Sequence, residues 1–159
     1  MLKAFKNELI NLSETSSESL IKRIKKQVPY QEVDHYLKEL TNFIHCIPDL
    51  LVEVQASYAE PNTPPVLKNL LGYLLTYFYH PQDLIDDEEK GLLGYLDDAY
   101  LIGIVYSRLP INHNSNFSNL QEWLNLTKIV IPSVTKQLDQ VLEELLKGNM
   151  QPFNQQVFS

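Results

Sequence analysis

Three features are scarce in this chain of 159 residues: cysteine, long uncharged apolar runs and, after residue 30, positive charge. The single cysteine, Cys46, excludes disulfides within the chain and zinc sites built from several thiolates, and this usage suits a reducing cytosol. We expect Cys46 to be a small buried apolar residue, because reactive thiols need accessible, electropositive surroundings.

The sequence also lacks the apolar segments that are typical of membrane-spanning helices and export signals. The longest uncharged run in the apolar middle of the chain, residues 69–82, has 14 residues, whereas a spanning helix needs about 20. Glu8 interrupts the start, where a signal peptide needs an unbroken apolar core. The sequence therefore predicts a cytoplasmic protein and leaves peripheral contact with a membrane open.

Charge is divided unevenly along the chain. Residues 1–30 carry six cations and three anions, a net charge of +3, whereas the remaining residues carry seven cations and 17 anions, a net charge of −10. An acidic body repels phosphate backbones, which argues against nucleic acid as a partner. Only the first 30 residues are suited to an anionic surface.

Two regular seams predict an all-α helical bundle. In each, seam positions alternate four and three residues apart, the pattern of a helix face that is buried along its length. The first seam comprises Val33, Leu37, Leu40, Ile44, Ile47, Leu51, Val54 and Tyr58, and the second comprises Leu120, Leu124, Thr127, Ile131, Val134, Leu138, Val141 and Leu145. Pro48 and Pro132 interrupt the backbone hydrogen bonds while the seams continue, so we predict two long kinked outer helices.

The rest of the chain divides into shorter helices. Residues 64–79 and about 88–109 predict a central helical hairpin, whose first helix, apolar on nearly all sides, is expected to be the central one. Glu88 and Glu89 are expected in the first turn of its second helix, where the helix dipole favours them. Residues 1–29 predict a pair of basic amphipathic helices, either docked or free. The bundle domain then covers residues 30–148, with the hairpin at 65–109, and residues 149–159 predict a mobile tail.

The hairpin contains seven carboxylates between His80 and Tyr100, and the last two, Asp97 and Asp98, are adjacent. Their neighbours one helical turn away are mostly apolar. A carboxylate in such surroundings costs several kcal/mol unless it finds hydrogen-bond donors, becomes protonated or holds a cation. We therefore expect both to be withdrawn from water and to depend on partners.

Local donors are the simplest partners for the two aspartates. We expect residues 81–87 to fold back between the helices, so that Asp97 or Asp98 can cap their amide groups, with Asp83 capping the turn. Gly94 would permit a close helix crossing. Hydroxyl donors could come from Tyr73, Tyr77, Tyr95 and Tyr100. On this interpretation the acidic motif fastens the hairpin and does no chemistry.

These residues also resemble a known family. The pattern Pro81, Asp83-Leu84-Ile85, Asp87 and then Leu93-Gly94-Tyr95-Leu96-Asp97-Asp98, after an aromatic-rich helix, resembles the YkvA-like bacterial domain of unknown function. The likeness covers about residues 65–109, with Asp86 standing where that family usually has proline. It implies an all-helical domain without an assigned reaction or catalytic residue, some of whose relatives lie near membranes.

A divalent cation is the alternative partner for the carboxylates. Asp83, Asp87, Asp97 and Asp98, with His80 as a further ligand, form the oxygen-rich set that magnesium, calcium or manganese prefers. The EF-hand spacing is absent. No cofactor is expected if the motif is structural, and Mg²⁺ or Ca²⁺ is expected if it binds metal.

Catalysis finds little support in the sequence. Metal-dependent hydrolysis would also need a nucleophile or base placed by a cleft, and no histidine has a recognised catalytic spacing. The Gly-x-Ser-x-Gly elbow of a serine hydrolase is absent. The sequence therefore favours a protein that is not an enzyme, with a metal-dependent hydrolase as the alternative.

The second candidate site lies in the basic N-terminal segment. An apolar stripe of Leu20, Ile21 and Ile24 is surrounded by the cations Lys22, Arg23, Lys25 and Lys26. Such a helix can rest on anionic lipid or on the acidic face of a protein, and a solvated face of a docked helix fits equally well. We therefore predict a non-catalytic binding or scaffold module whose partner is a protein or an anionic membrane surface, with a homo-oligomer left open.

Overall fold

The computed structural model describes residues 2–79, 91–110 and 115–147. These residues are largely helical and contain no strand, which confirms the predicted all-α bundle. In chain order the α-helices are α1 (Leu2–Thr15), α2 (Glu18–Gln27), α3 (Val33–His45), α4 (Ile47–Ala59), α5 (Pro65–Tyr79), α6 (Leu96–Ser107), α7 (Leu120–Val130) and α8 (Pro132–Leu146). Short 3₁₀ helices lie at Tyr30–Glu32, Gly91–Tyr95 and Ser115–Phe117. The predicted tail, residues 149–159, lies outside the described residues.

Both predicted outer helices are divided beside their prolines. α3 and α4 carry the first seam, and α7 and α8 carry the second. Seam residues are buried on both sides of each junction, although Leu37 and Val134 are only partly buried. The first seam ends before Tyr58, which is 42% exposed. The periodicity therefore identified the buried faces correctly, but each predicted outer helix consists of two separate helices.

The two junctions differ in backbone geometry. Cys46 joins α3 to α4 with φ −81° and ψ −8°, close to helical values, and its amide still bonds to the Asn42 carbonyl at 3.2 Å. Ile131 joins α7 to α8 with φ −128° and ψ 63°, well outside the helical region. The first junction therefore stays close to helical geometry, whereas the second departs from it, although the Ile131 amide still donates a 2.9 Å hydrogen bond to the Thr127 carbonyl.

The central helix of the bundle is α6, and the prediction that residues 64–79 form the central helix is wrong. Ten of the 12 residues of α6 are buried, and it packs against α3, α4, α5, α7 and α8. In α5, by contrast, Val66 is 48% exposed. A Cβ atom on Gly103 would lie 2.9 Å from Phe43 Cζ, so the absence of a side chain allows α3 and α6 to approach closely.

The second helix of the hairpin begins later than predicted. The described chain enters it through the 3₁₀ helix Gly91–Tyr95, and α-helical geometry starts at Leu96. Gly91 has φ +57°, a left-handed value that does not belong in a continuous α-helix. Asp97 and Asp98 therefore occupy the first turn of α6, while Glu88 and Glu89, which were expected in a first turn, lie outside the described residues.

The N-terminal helices dock on the bundle. Leu9 of α1 and Leu20 and Ile24 of α2 are completely buried in the core. The Phe5 and Tyr95 rings lie 5.9 Å apart, which joins α1 to the segment that leads into α6. Lys6 Nζ lies 3.5 Å from Asp49 Oδ2 of α4, a solvent-exposed pair that adds little stability. Apolar burial therefore holds this pair of helices in place.

Candidate functional site

The acidic pair is buried at the start of α6. Asp97 has no exposed surface and Asp98 is 4% exposed, which confirms that both are withdrawn from water. Both lie in the first helical turn, where the positive end of the helix dipole stabilises carboxylates. This position reduces the cost of burying two adjacent acids, a cost that burial alone would make prohibitive.

A contact with the N-terminal helices shapes the approach to the acidic pair. The turn between α1 and α2 presents the Ser16 carbonyl, which accepts a 3.1 Å hydrogen bond from the Leu92 amide. A Cβ atom on Gly91 would lie 2.6 Å from the same oxygen, closer than side-chain atoms allow. Glycine is therefore required here both by its left-handed φ and by the close backbone approach. Sequence patterns had not linked Ser16 to this segment.

Several members of the predicted acidic site, His80 among them, lie outside the described residues. Pro81, Asp83 and Asp87 lie outside the described residues, as do the amides of residues 81–87 that were expected to act as donors. Gly94 is buried in the 3₁₀ helix before α6. Among the described residues there is no group of three or more His, Cys, Asp or Glu side chains that could hold a metal. The metal site remains a prediction.

One tyrosine proposed as a donor has another partner. The Tyr100 hydroxyl donates a 2.6 Å hydrogen bond to Asp139 Oδ1 of α8. Burial raises the pKa of Tyr100, and the bond to Asp139 raises it further. The bond ties the central helix to α8, a pairing that sequence periodicity could not reveal because the two residues lie 39 positions apart.

Other polar side chains serve packing between helices. Trp123 Nε1 donates a 2.9 Å hydrogen bond to Glu39 Oε2, and the Trp123 ring stacks on Phe43 with centroids 5.4 Å apart.

Burial raises the pKa of the Cys46 thiol to about 11, with a further contribution from the nearby Asp49 charge. A thiol of this kind stays protonated at neutral pH, as expected for a structural cysteine.

His45 lies in the last turn of α3, against α1. Burial lowers the pKa of His45, a backbone hydrogen bond with Leu9 opposes that shift, and the Lys6 charge lowers the pKa further. The imidazole is therefore held neutral at the interface between α1 and the bundle. His35 lies at the surface, with Nε2 3.1 Å from Glu122 Oε1.

The basic site lies on the outer face of α2. Lys22, Lys25 and Lys26 are exposed and Arg23 is half-buried, and none of the four forms an ion pair with another described residue. We call these four residues the basic face. Most of the expected apolar stripe does not remain free, because Leu20 and Ile24 lie in the core, whereas Ile21 is only partly buried. The basic face is therefore a charged surface on a docked helix and not one side of a free amphipathic helix.

An exposed aromatic residue follows the basic face. Tyr30 is 84% exposed, the highest value among the large exposed apolar and aromatic residues of the described chain. It opens the 3₁₀ helix Tyr30–Glu32, only four residues after Lys26. Sequence analysis had missed it, although a tyrosine outside both seams and next to Pro29 was a usable signal.

A cavity of about 450 Å³ lies at the C-terminal end of α4, and sequence analysis had not predicted it. Its lining comes from the C-terminal half of α4, the loop to α5 and the end of the α6 segment, and includes Glu53, Glu60, Leu67 and Leu109. The Thr63 hydroxyl donates a 2.7 Å hydrogen bond to the Ser57 carbonyl and fixes the loop. None of the predicted site residues lines this cavity.

Comparisons with known proteins gave no match to a protein-family model, to a curated protein or to a solved structure. The resemblance of residues 65–109 to the YkvA-like family therefore remains a prediction. In the described parts of the chain, no helix is both long enough and apolar enough to cross a membrane.

Proposed function

We propose that this protein is a non-catalytic helical binding module that uses its basic face to hold an anionic partner. The observation that carries the proposal is the separation of roles on α2. Leu20 and Ile24 on its apolar side are buried in the core and Ile21 is partly buried, while Lys22, Lys25 and Lys26 are exposed without carboxylate partners among the described residues. Cations that fold stability does not require are available for a ligand.

The distribution of charge supports the same function. The basic face belongs to a segment of net charge +3, while the rest of the chain carries −10. An anionic surface therefore attracts one side of the molecule and repels most of the remainder, which selects a single orientation on approach. Such attraction acts over about 8–10 Å at physiological salt and weakens as the salt concentration rises.

The perturbed titratable groups support a role without catalysis. The described groups with a shifted pKa, among them Cys46, Tyr73 and Tyr100, owe the shift first to burial. None of them lines the cavity beside α4. Active sites typically combine a cleft with groups of shifted pKa, a combination that this cavity lacks among the described residues.

Binding to two anionic probes tests the proposal. We expect the protein to bind phosphatidylserine vesicles, a polyglutamate peptide or both at low salt, and to lose that binding at high salt. The triple variant Lys22→Gln, Lys25→Gln, Lys26→Gln should bind much more weakly. Its matched control, Lys38→Gln, Lys136→Gln, Lys147→Gln, changes the net charge equally on other helices and should retain binding. Absence of binding to both probes, or equal loss in both triple variants, would refute the proposal.

Divalent cation binding is the second candidate function. The burial of two adjacent carboxylates favours it, because a cation would neutralise both, with Asp83, Asp87 and His80 as the further ligands that the sequence predicts. Titration calorimetry with Mg²⁺, Ca²⁺ and Mn²⁺ tests this candidate. A saturable heat that disappears in both Asp97→Asn and Asp98→Asn supports it, and no heat with any of the three ions excludes it.

A further inference from the structure

We infer that the anionic partner of the basic face is a phospholipid surface, on which Tyr30 inserts at the level of the headgroups. This inference rests on the proposed function and specifies its partner. Three observations carry it: the composition of the basic face, the burial of Leu20 and Ile24 in the core, and the exposed Tyr30 that follows the face.

The basic face suits a lipid surface better than a protein. Stable protein interfaces bury about 800 Å² on each partner around an apolar centre, and lysine is depleted in them. On α2, Leu20 and Ile24 are already buried, which leaves the partly buried Ile21 as the one apolar side chain of that helix still partly accessible. A layer of anionic headgroups requires only positive charge near its surface.

The spacing of the cations suits simultaneous contact with a flat surface. Lys22 and Lys26 lie one helical turn apart, and Lys25 lies on the adjoining strip of the same outer side. Glu18 is the only carboxylate on α2. Because it lies in the first turn, the last two turns of the helix contain no negative charge. Long lysine side chains can reach headgroups while the helix stays docked in the bundle.

Tyr30 adds a contact that charge alone does not provide. It is 84% exposed, so its ring loses contact with water only when a partner covers it. Tyrosine combines an apolar ring with a polar hydroxyl, which suits the boundary between headgroups and acyl chains. Because Tyr30 lies only three residues after the end of α2, we expect vesicle binding to bring it to the same boundary as the lysines.

Sedimentation with vesicles of phosphatidylcholine alone or mixed with phosphatidylserine tests the inference in the full-length protein. We expect binding only to the mixed vesicles, weakened about 100-fold by the triple lysine variant of α2, since each neutralised cation costs roughly fivefold. The control triple variant, with one change on α3, one on α8 and one just after α8, should change binding less than about threefold. Tyr30→Ala should weaken vesicle binding several-fold, whereas Tyr58→Ala, at another exposed tyrosine, should not.

A spectroscopic variant reports insertion independently of affinity. In Tyr30→Trp, the emission of the new indole should shift to the blue on mixed vesicles, over a constant contribution from the buried Trp123. All the substituted side chains are exposed, so unchanged thermal melting verifies that each variant folds.

The outcomes separate the inference from the proposed function. Binding to polyglutamate without binding to vesicles, or vesicle binding that is unaffected by Tyr30→Ala with no spectral shift, overturns the lipid inference and leaves the binding module standing. Binding to neither probe overturns both. Vesicle binding with the expected losses and the blue shift supports both.

Discussion

The start of α6 and the outer face of α2 each carry a run of like charges flanked by apolar residues, yet the fold treats them in opposite ways. Asp97 and Asp98 are buried on the most enclosed helix of the bundle, whereas Lys22, Lys25 and Lys26 face water. The difference follows from the number of helices around each segment. α6 is surrounded on nearly all sides, while α2 packs through one side only.

The largest expected effect comes from the buried side of α2. Ile24→Ala should lower the free energy of unfolding by about 2–5 kcal/mol, because a completely buried side chain is truncated in a packed core. Lys25→Ala, at the next position on the solvent side, should change it by less than about 0.5 kcal/mol. Chemical denaturation measures both. Equal effects would show that α2 does not depend on its apolar side for docking.

The contact between the turn that precedes α2 and the 3₁₀ helix that precedes α6 should be the next most sensitive. Gly91→Ala should cost about 2–3 kcal/mol, since it combines a left-handed φ with a Cβ placed 2.6 Å from the Ser16 carbonyl.

Gly91→Asn separates these two causes. Asparagine tolerates left-handed backbone better than alanine but carries the same Cβ. If the close approach dominates, Gly91→Asn should be almost as destabilising as Gly91→Ala in thermal melting. Near wild-type stability for Gly91→Asn would mean that the chain separates easily from Ser16.

A smaller loss is expected at the acidic pair. Asp97→Asn and Asp98→Asn should each cost about 1–3 kcal/mol, because an amide replaces an acceptor-only carboxylate in a buried, dipole-stabilised position. Asp34→Asn is a matched control, since Asp34 also lies in a first helical turn, in α3, but is exposed. Its effect should stay under about 1 kcal/mol. Unchanged melting in both buried variants would contradict the fastening role.

The smallest effect should be a pH dependence at the α1 interface. The pKa of His45 is lower in the folded protein than in the unfolded chain, so folding favours the neutral imidazole. Its contribution is complete above the ordinary histidine pKa of about 6.5 and is lost as the pH falls below that value toward the folded pKa. Denaturation at a series of pH values should show this loss, and His45→Gln should reduce the slope. An identical slope in that variant would assign the dependence to other groups.

Local patterns predicted the buried faces well and the element boundaries less well. The four–three spacing identified the faces of α3, α4, α7 and α8, because a helix buried on one side repeats its apolar residues regardless of its neighbours. The start of α6 was misplaced by about eight residues. Gly91 has a left-handed φ where it contacts Ser16, and α-helical geometry begins only at Leu96.

In the candidate sites, too, features set by neighbouring residues could be predicted from the sequence, whereas contacts between distant segments could not. That Asp97 and Asp98 avoid water could be inferred from their apolar neighbours one turn away. That Tyr100 would pair with Asp139, and that Leu20 and Ile24 would be used inside the bundle, could not be inferred, because each depends on a residue or helix distant in the chain.

The sequence by itself determined the helical class, the seams and the uneven charge, since helix periodicity and net charge are properties of short segments and of composition. Only the tertiary structure decided that α6 is central, that the N-terminal helices dock, and that the cations of α2 are left facing outward. Those outcomes depend on which apolar faces meet, and the energy of such contacts is shared between segments that the sequence keeps far apart.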